Sequence, residues 1–455
     1  MKKFIVPALL AVCVFTVSVV FQRCTLLCQE CDGLFLMAPD YFSWAFAQPL
    51  PISQIISDFL VQFYRISLSA PWIMAGLITI VFLLLRGISG RLIRFSDLAA
   101  SLVSGLIWFL TAKADSPRIA VASILFLFPI WIVLTLCMKR KEGGRPLLNM
   151  AIASAVVVLA SVVIALAPPV RNAETWARVK NGVIYGKWNA VLRAASPKAV
   201  NKDHELIPFA LLALGEKGEL GNRMFSYPVF EENDLDMCLE DDYYNSLFFR
   251  AYLYSALNCT NEAIHNMSQL AVTQPHGASF LVLRKMAEWN YSAGNYELVE
   301  KFCKILDRSL THHKFISSLR RLMADGQPRP ADSNEFRSTV DVISHNPAYN
   351  LLLLNTNGIH SASAADRLLC TLLLQKNMET FKSALGSVDF ASELPVHYQE
   401  ALALLPGKTD SRVSSRVAAR FRSFQDLMQT ATLEEQQKRF GSTYWFYYYY
   451  LRTDK

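Results

Sequence analysis

The chain has 455 residues, and 52% of them are apolar, which is more than a wholly soluble protein usually carries. Its formal net charge is +7. Residues 1–168 hold 13 Lys and Arg against 7 Asp and Glu, whereas the rest of the chain holds 32 against 31. The rest is therefore nearly neutral, which excludes the clustered positive charge that nucleic-acid binding requires.

Apolar segments crowd the first 168 residues and approach the ~20 residues that a helix needs to cross about 30 Å of hydrocarbon. They are Phe4–Phe21, Ile66–Leu85, Leu98–Ala112, Ile119–Met138 and Leu147–Pro168, of which the third is short. These segments predict a bundle of about five transmembrane helices over residues 1–168. The first run also fits a signal peptide, but it lacks a small-x-small cleavage site before Gln22-Arg23-Cys24, which favours an uncleaved anchor.

The orientation follows from the cations in short loops, which are retained on the cytoplasmic side. If the five spans alternate, one side of the membrane holds Lys2, Lys3, Arg86, Arg91, Arg94, Lys139, Arg140, Lys141 and Arg145. The other side holds Arg23, Arg65, Lys113 and Arg118. This predicts an inner-membrane protein with a cytoplasmic amino terminus and a periplasmic region after Pro169. A change of one span would reverse the location of that region.

Residues 51–64 have an amphipathic pattern with a helical period. The apolar positions are Ile52, Ile55, Ile56, Phe59, Leu60 and Phe63, and the opposite face carries Ser53, Gln54, Ser57, Asp58 and Gln62. Such a segment is typical of a helix that lies flat at the membrane surface. A re-entrant helix under the bundle fits the same pattern.

Three carboxylates, Asp32, Asp40 and Asp58, follow the first apolar segment, in the loop expected outside the cytoplasm. Membrane glycosyltransferases that use lipid-linked sugars place catalytic carboxylates in such a loop, ahead of a surface helix. These residues are therefore the candidate catalytic groups of an enzyme hypothesis. Five spans are few for that architecture, and an acidic outward loop also follows from topology alone.

The sequence predicts no cofactor and no metal site. Cys24, Cys28 and Cys31 have the spacing of an iron–sulfur motif but follow a membrane segment directly, where a disulfide between two of them is the better reading. No zinc-protease, serine-hydrolase or phosphate-loop motif occurs.

From Glu174 onward, helical hairpins recur about every 32–40 residues, which brackets the 34-residue tetratricopeptide period. Joints between helices are predicted at Tyr185–Leu192, Glu216–Leu220, Asn258–Ala263, Ala293–Val299 and, later, Lys376–Phe381. We therefore predict an all-α chain with tetratricopeptide-like repeats over residues 169–324 and further helical repeats over 331–455, separated by the linker around Asp325–Pro330. The aromatic run Tyr444–Tyr450 fits a sugar-stacking platform or, better, packing onto the last repeat.

Several motifs resemble an uncharacterised bacterial inner-membrane family, domain of unknown function 6057. They are Leu36…Asp40-Tyr41, Phe59–Tyr64, Gly186–Leu192, Gly221–Pro228, Leu394–Leu402 and Gly441–Trp445. The resemblance covers nearly the whole chain and implies a membrane bundle followed by helical repeats. It implies no activity and no catalytic residue.

The leading functional hypothesis is a scaffold that binds a protein or peptide partner of the cell envelope through its periplasmic repeats. It is expected to contact the lipid bilayer and to bind no nucleic acid. Stacked hairpins form extended recognition surfaces, and the sequence offers no catalytic motif. The alternative is a glycosyltransferase-like enzyme of lipid-linked sugar or envelope polysaccharide chemistry. A transporter subunit is disfavoured because the predicted spans contain no charged residues.

Overall fold

The protein is all-α. The computed structural model describes residues 4–93, 95–114, 116–139, 146–236, 243–325, 349, 351–352, 362–388, 390, 393–406 and 410–451, and every regular element within them is a helix. The chain forms two compact units. The first comprises Met1–Asn181, Gln274–Ala287 and Glu297–Gly326, and the second comprises Gly182–Thr273, Glu288–Tyr296 and Gln327–Lys455. The units interleave along the sequence, whereas the predicted domain boundaries run consecutively.

The first unit contains the apolar helices. The helices that precede the start of the second unit at Gly182 are Ile5–Phe21, Arg23–Asp32, Pro39–Phe46, Pro51–Val61, Ser69–Leu92, Ser96–Lys113, Arg118–Cys137, Pro146–Leu166 and most of Pro168–Ile184. Those long and apolar enough to cross a membrane are Ser69–Leu92, Arg118–Cys137 and Leu147–Leu166. The pair Ile5–Phe21 and Arg23–Asp32, bent by 79°, adds a fourth if it counts as one span. Within the described residues the length and composition of helices therefore support three or four spans.

The predicted third span accounts for the difference between the five predicted spans and the three or four that the helices support. A helix does form there, at Ser96–Lys113, but it is not among the helices apolar enough to span. Ser101 and Ser104 are buried in it, and their hydroxyls donate to backbone carbonyls of the preceding turn. At its start Asp97 forms an ion pair with Arg86 at 2.5 Å. These polar residues lower the helix's hydropathy while its apolar residues, such as Trp108, join the bundle core.

The predicted amphipathic helix is present at Pro51–Val61, and its polar face is the buried one. Ser53, Ser57 and Asp58 are all less than 10% exposed, whereas Ile52 is 57% exposed and Phe59 is 37% exposed. Ser53, Ser57 and Asp58 therefore face the protein. Ile52 and Phe59 face outward, whereas Ile56 and Leu60 pack against the bundle core. An outward apolar face is what a helix at a membrane surface needs, because acyl chains solvate it better than water.

The second unit consists of short helices and hairpins. Its main helices are Trp188–Ala194, Ile207–Glu216, Leu220–Arg223, Tyr243–Ala256, Thr260–Thr273, Ala362–Leu374, Met378–Ser387, Val396–Leu404, Ser415–Thr430, Leu433–Phe440 and Tyr444–Tyr450. The helices Phe280–Ser292 and Tyr296–Leu306 have residues in both units, and His313–Ala324 belongs to the first.

The predicted joints share one turn geometry. In each joint one residue adopts the left-handed conformation: Gly186, Gly218, Asn258, Gly294 and Lys376, with φ between 55° and 77°. The N–H of that residue donates to the carbonyl three positions earlier, and the next N–H donates to the carbonyl five positions earlier. This is the Schellman motif, which satisfies the last carbonyls of a helix and reverses the chain. The chain thus repeats one hairpin device from Gly186 to Lys376.

The aromatic run folds as the helix Tyr444–Tyr450 and packs inside the second unit. Trp445 is fully buried and its indole N–H donates to the Glu400 carbonyl at 2.7 Å. The Tyr447 hydroxyl donates to the Leu374 carbonyl at 2.8 Å. These buried hydrogen bonds give the run a structural role, in agreement with the packing interpretation.

Candidate functional site

The candidate site lies where residues 274–287 and 297–325 dock onto the segment between the first two long apolar helices, residues 22–68, which we call the first connecting segment. All of these residues belong to the first unit. Three hydrogen bonds from backbone N–H groups join them: Met37 to the Arg308 carbonyl at 2.7 Å, Phe280 to the Gly33 carbonyl at 2.9 Å, and Leu310 to the Gln62 side-chain oxygen at 3.2 Å. No sequence motif links these two segments.

A buried ion pair lies at the centre of this contact. Arg284 donates through both terminal nitrogens to Glu30, at 2.6 and 3.2 Å, and both side chains are almost fully buried. A bidentate guanidinium–carboxylate pair satisfies both charges in a site from which water is excluded.

His312 completes the arrangement around Arg284. Its ring stacks on Phe280, with centroids 4.3 Å apart, and its Nε2 lies 2.9 Å from an Arg284 nitrogen. Burial lowers the pKa of His312, and its hydrogen bond with Glu30 counteracts part of that effect. Nε2 lies between the Arg284 donor and a Glu30 oxygen 3.3 Å away, and Nδ1 lies 3.0 Å from the Ser309 hydroxyl. The ring therefore links the ion pair to Ser309.

Asp58 is the only predicted catalytic carboxylate that the fold buries. Its oxygens accept from the Tyr41 hydroxyl at 2.8 Å and from the Gln54 amide at 2.8 and 2.9 Å. Burial raises the pKa of Asp58 to about 6, and the two donors counteract part of this increase. Burial and the Asp58 charge raise the pKa of Tyr41 above its usual range. At neutral pH the pair is thus a carboxylate and a neutral phenol.

His276 faces this carboxylate from the docked segment. Its Nε2 is 4.0 Å from Asp58, and its ring packs against Trp44 with centroids 3.5 Å apart. Burial lowers the pKa of His276 to about 4. The imidazole is therefore neutral at neutral pH and forms no ion pair with Asp58. A neutral imidazole beside a carboxylate whose pKa is near 6 is a combination that general-base chemistry uses.

The other two predicted carboxylates lie in different surroundings. Asp32 is exposed, and Asp40 is exposed with one oxygen 3.9 Å from an Arg308 nitrogen. Asp58 is thus distinguished from them by its burial. Sequence reasoning missed Glu30, Arg284, His276 and His312, because no local motif marks them.

The cysteines Cys24, Cys28 and Cys31 all lie on the helix Arg23–Asp32 as free thiols. The Cys28 thiol donates to the Ala177 carbonyl at 3.5 Å, and Cys31 contacts Glu30. Within the described part of the chain, no group of three or more His, Cys, Asp or Glu side chains is arranged to hold a metal ion. Cys238, which the sequence also contains, lies outside the described residues.

Comparison with known proteins gives a family and no activity. No curated protein matches the chain, and no solved structure matches it. The model of one protein family matches residues 1–170 and residues 150–451, which together cover nearly the whole sequence. This confirms the resemblance seen in the motifs, and the chain belongs to the family of unknown function DUF6057.

Proposed function

We propose that the chain is a multi-pass inner-membrane protein whose tetratricopeptide-like hairpins lie in the periplasm and bind a protein or peptide partner of the cell envelope. The first unit anchors the chain, and the second presents the recognition surface. The observation that carries the proposal is the repeated Schellman joint at Gly186, Gly218, Asn258, Gly294 and Lys376.

The repeated joint supports a recognition role because it fixes the reversal between successive helices. Hairpins that share one turn geometry stack in a regular way and produce extended surfaces suited to peptides and proteins. The second unit also exposes apolar side chains that a binding partner would cover, among them Val272 at 82% and Tyr243 at 55% exposed.

Membrane anchoring is supported by the apolar side chains that the first unit leaves outward. Phe126, Leu136 and Leu159 are each more than 60% exposed, on the helices Arg118–Cys137 and Leu147–Leu166. Exposure of this kind is costly in water and favourable in hydrocarbon. The outward apolar face of Pro51–Val61 fits the same boundary.

A pair of reporter fusions at Lys455 tests the compartment. Alkaline phosphatase folds into an active enzyme only outside the cytoplasm. Green fluorescent protein stays dark when it is exported through the general secretory route, so it is fluorescent only in the cytoplasm. The proposal expects active phosphatase and a dark fluorophore. The reverse pattern would place the second unit in the cytoplasm and overturn the periplasmic assignment.

Partner binding is tested with a matched pair of charge insertions on the helix Thr260–Thr273. Val272→Asp places a charge on an exposed apolar position, and Asn261→Asp places the same charge on an exposed polar one. In a strain in which loss of the chain causes an envelope defect, Asn261→Asp should correct that defect and Val272→Asp should not. Equal rescue by both variants would count against this part of the surface.

A second candidate function is a glycosyltransferase-like enzyme of lipid-linked sugar or envelope polysaccharide chemistry. The observation that favours it is the Asp58 carboxylate with its raised pKa, in contact with Tyr41 and 4.0 Å from neutral His276. If Asp58 is a catalytic base, Asp58→Asn abolishes rescue although the protein is present in the membrane. If the chain is a scaffold, Asp58→Asn supports rescue and Val272→Asp does not.

A further inference from the structure

A polar cavity of about 510 Å³ lies within the second unit. It is formed where the helices Leu220–Arg223, Val396–Leu404 and Ser415–Thr430 come together. A cavity of this size is within the range of small-molecule sites. It is unrelated to the partner surface and to the Asp58 site described above.

Two side-chain amides hold the cavity walls in place. The Asn222 oxygen accepts from the Val396 N–H at 2.9 Å and so joins the first helix to the start of the second. The buried Gln399 oxygen accepts from the Ser414 N–H at 2.9 Å and from its hydroxyl at 2.7 Å. These bonds fix the loops that begin two of the three helices, so the cavity is a built feature of the fold.

The lining carries an excess of positive charge that is available to a ligand. Arg223 already pairs with Glu219. Arg416 and Arg420 lie one turn apart on the same helix. Neither has a carboxylate within ion-pair distance among the residues that the structure describes. The Arg420 guanidinium lies 5.7 Å from the centroid of the Phe440 ring. Of the two lining glutamates, Glu393 receives a long hydrogen bond of 3.5 Å from Gln399.

The other glutamate, Glu400, is committed to the protein. One of its oxygens accepts both from the Tyr444 N–H at 2.8 Å and from His397 Nδ1 at 2.9 Å. It therefore does not neutralise Arg416 or Arg420. Among the described residues, the cavity lining thus holds two exposed guanidinium groups and the exposed Glu393 carboxylate without an ion-pair partner.

The helix ends add to this positive character. Neither Val396–Leu404 nor Ser415–Thr430 has an acidic residue in its first turn, and Arg416 occupies the first turn of the second helix. A cation at this end of a helix is unfavourable, because the N-terminus already carries partial positive charge. A bound anion reverses that repulsion.

His397 supplies a second recognition element. It is only 3% exposed, and its Nε2 is a buried polar atom without a hydrogen-bond partner. Because Glu400 only accepts, Nδ1 carries a proton, and Nε2 is the ring nitrogen without a partner. A buried polar atom without a partner is costly, so a ligand hydroxyl, which can both donate and accept, is the natural partner for it.

From these observations we propose that the cavity binds a small hydroxylated anion of the sugar phosphate or sugar acid class. Arg416 and Arg420 hold its anionic group, and His397 Nε2 forms a hydrogen bond with one of its hydroxyls. The anionic group is either a phosphate or a carboxylate, and the probes below distinguish the two.

Isothermal titration calorimetry on the full chain in detergent tests the proposal with glucose 6-phosphate, glucuronate, glucose and inorganic phosphate. We expect one or both sugar anions to bind more tightly than glucose and than phosphate, with an affinity that falls as salt increases. A preference between the two sugar anions identifies the anionic group. Absence of binding by both at millimolar concentration overturns the proposal, and so does binding of phosphate alone as tightly as either sugar anion.

The variants locate the binding site. Arg416→Gln with Arg420→Gln should weaken the binding of the sugar anion by roughly tenfold or more. Arg422→Gln, an exposed arginine of the same helix that does not line the cavity, should change it less than twofold. His397→Asn keeps a donor near Glu400 but removes Nε2. It should therefore weaken the binding of the sugar anion and leave the binding of phosphate unchanged. Equal effects of the Arg416/Arg420 and Arg422 changes would place the ligand elsewhere and overturn the proposal.

Discussion

Glu30 and Arg284 are 254 positions apart in sequence and form a buried, bidentate ion pair. The pair joins the first connecting segment to the helix Phe280–Ser292, next to the stacked rings of Phe280 and His312. Because the fold excludes water from both charges, removing one of them affects the first unit more than any surface ion pair does.

Arg284→Ala should therefore lower the free energy of unfolding of the first unit by about 3–5 kcal/mol, because it leaves the Glu30 carboxylate buried and unpaired. Arg320→Ala is the control, since Arg320 pairs with Glu300 and Asp307 at the surface and such pairs contribute about 1 kcal/mol or less. Thermal unfolding in detergent measures both. The double change Glu30→Gln with Arg284→Gln should lower the free energy of unfolding less than Arg284→Ala does, because it leaves no unpaired buried charge. Equal midpoints for Arg284→Ala and Arg320→Ala would contradict the buried-pair argument.

Asp58 and His276 should have opposite effects on the pH dependence of stability. Burial raises the pKa of Asp58 from 3.8 to about 6, so its stabilisation is full below pH 3.8 and is lost as the pH rises through 6. Burial lowers the pKa of His276 from 6.5 to about 4, so its stabilisation is full above pH 6.5 and is lost as the pH falls through 4. In the native chain the two slopes oppose each other between pH 4 and 6.5.

Single variants should expose these slopes. On acidification from pH 6.5 to 4, Asp58→Asn should lose stability more steeply than the native chain, because only the His276 contribution remains. His276→Phe keeps a ring against Trp44 and should become more stable relative to the native chain over the same range. Each difference amounts to at most about 3 kcal/mol, at 1.36 kcal/mol per pKa unit. Unfolding midpoints at a series of pH values test this, and parallel curves for all three proteins would refute it.

Gly215 and Gly218 form a matched pair for the joint geometry. Gly218 has φ of 64°, where a side chain strains the backbone, and Gly215 lies in the helix Ile207–Glu216. A Cβ at either position meets no atom within 4 Å, so the two positions differ only in backbone conformation. Gly218→Ala should destabilise the second unit by about 1 kcal/mol, and Gly215→Ala should stabilise it by about 0.5–1 kcal/mol. Unfolding by thermal denaturation gives the sign of each change, and a shared sign would contradict the Schellman assignment.

The outward face of Pro51–Val61 should contact lipid. Ile52→Trp places a fluorophore on the exposed apolar face. The control is Asn261→Trp, an exposed position in the second unit. Neighbouring positions on the helix do not serve as controls, because Ser53 is buried and Gln54 is a partner of Asp58. Brominated lipids in reconstituted vesicles should quench the added Ile52→Trp fluorescence and not that of Asn261→Trp. Equal quenching of both would argue against a surface helix.

Local features were predictable from the sequence because local chemistry determines them. Gly294 marks its joint since glycine adopts positive φ without strain, and the helical spacing of Ile52, Ile55 and Ile56 predicts a two-faced helix. Which face is buried was not predictable, because it depends on what packs against it. In this protein the polar face meets the protein, through contacts such as Gln62 with Leu310.

The site itself required tertiary structure. A buried Glu30 needs a cation, but 45 Lys and Arg residues were possible partners, and Arg284 has no sequence mark that distinguishes it. The count of three or four spans differs from the predicted number of about five for a related reason. Ser101 and Ser104 lie within Ser96–Lys113, and Asp97 and Lys113 lie in its first and last turns, so its composition is more polar than that of the helices apolar enough to span.

The interleaved order of the first unit has a consequence for its biogenesis. At ~5–20 residues synthesised per second, the ribosome needs roughly 10–50 s to progress from Glu30 to Arg284. During that interval the nascent amino-terminal helices hold an acidic side chain whose eventual counter-ion does not yet exist. The newborn chain must therefore keep Glu30 hydrated or protonated until the later segment arrives. Assembly of the anchor is therefore completed only after Arg284 has been synthesised, and truncations before Arg284 are expected to be substrates for membrane quality control.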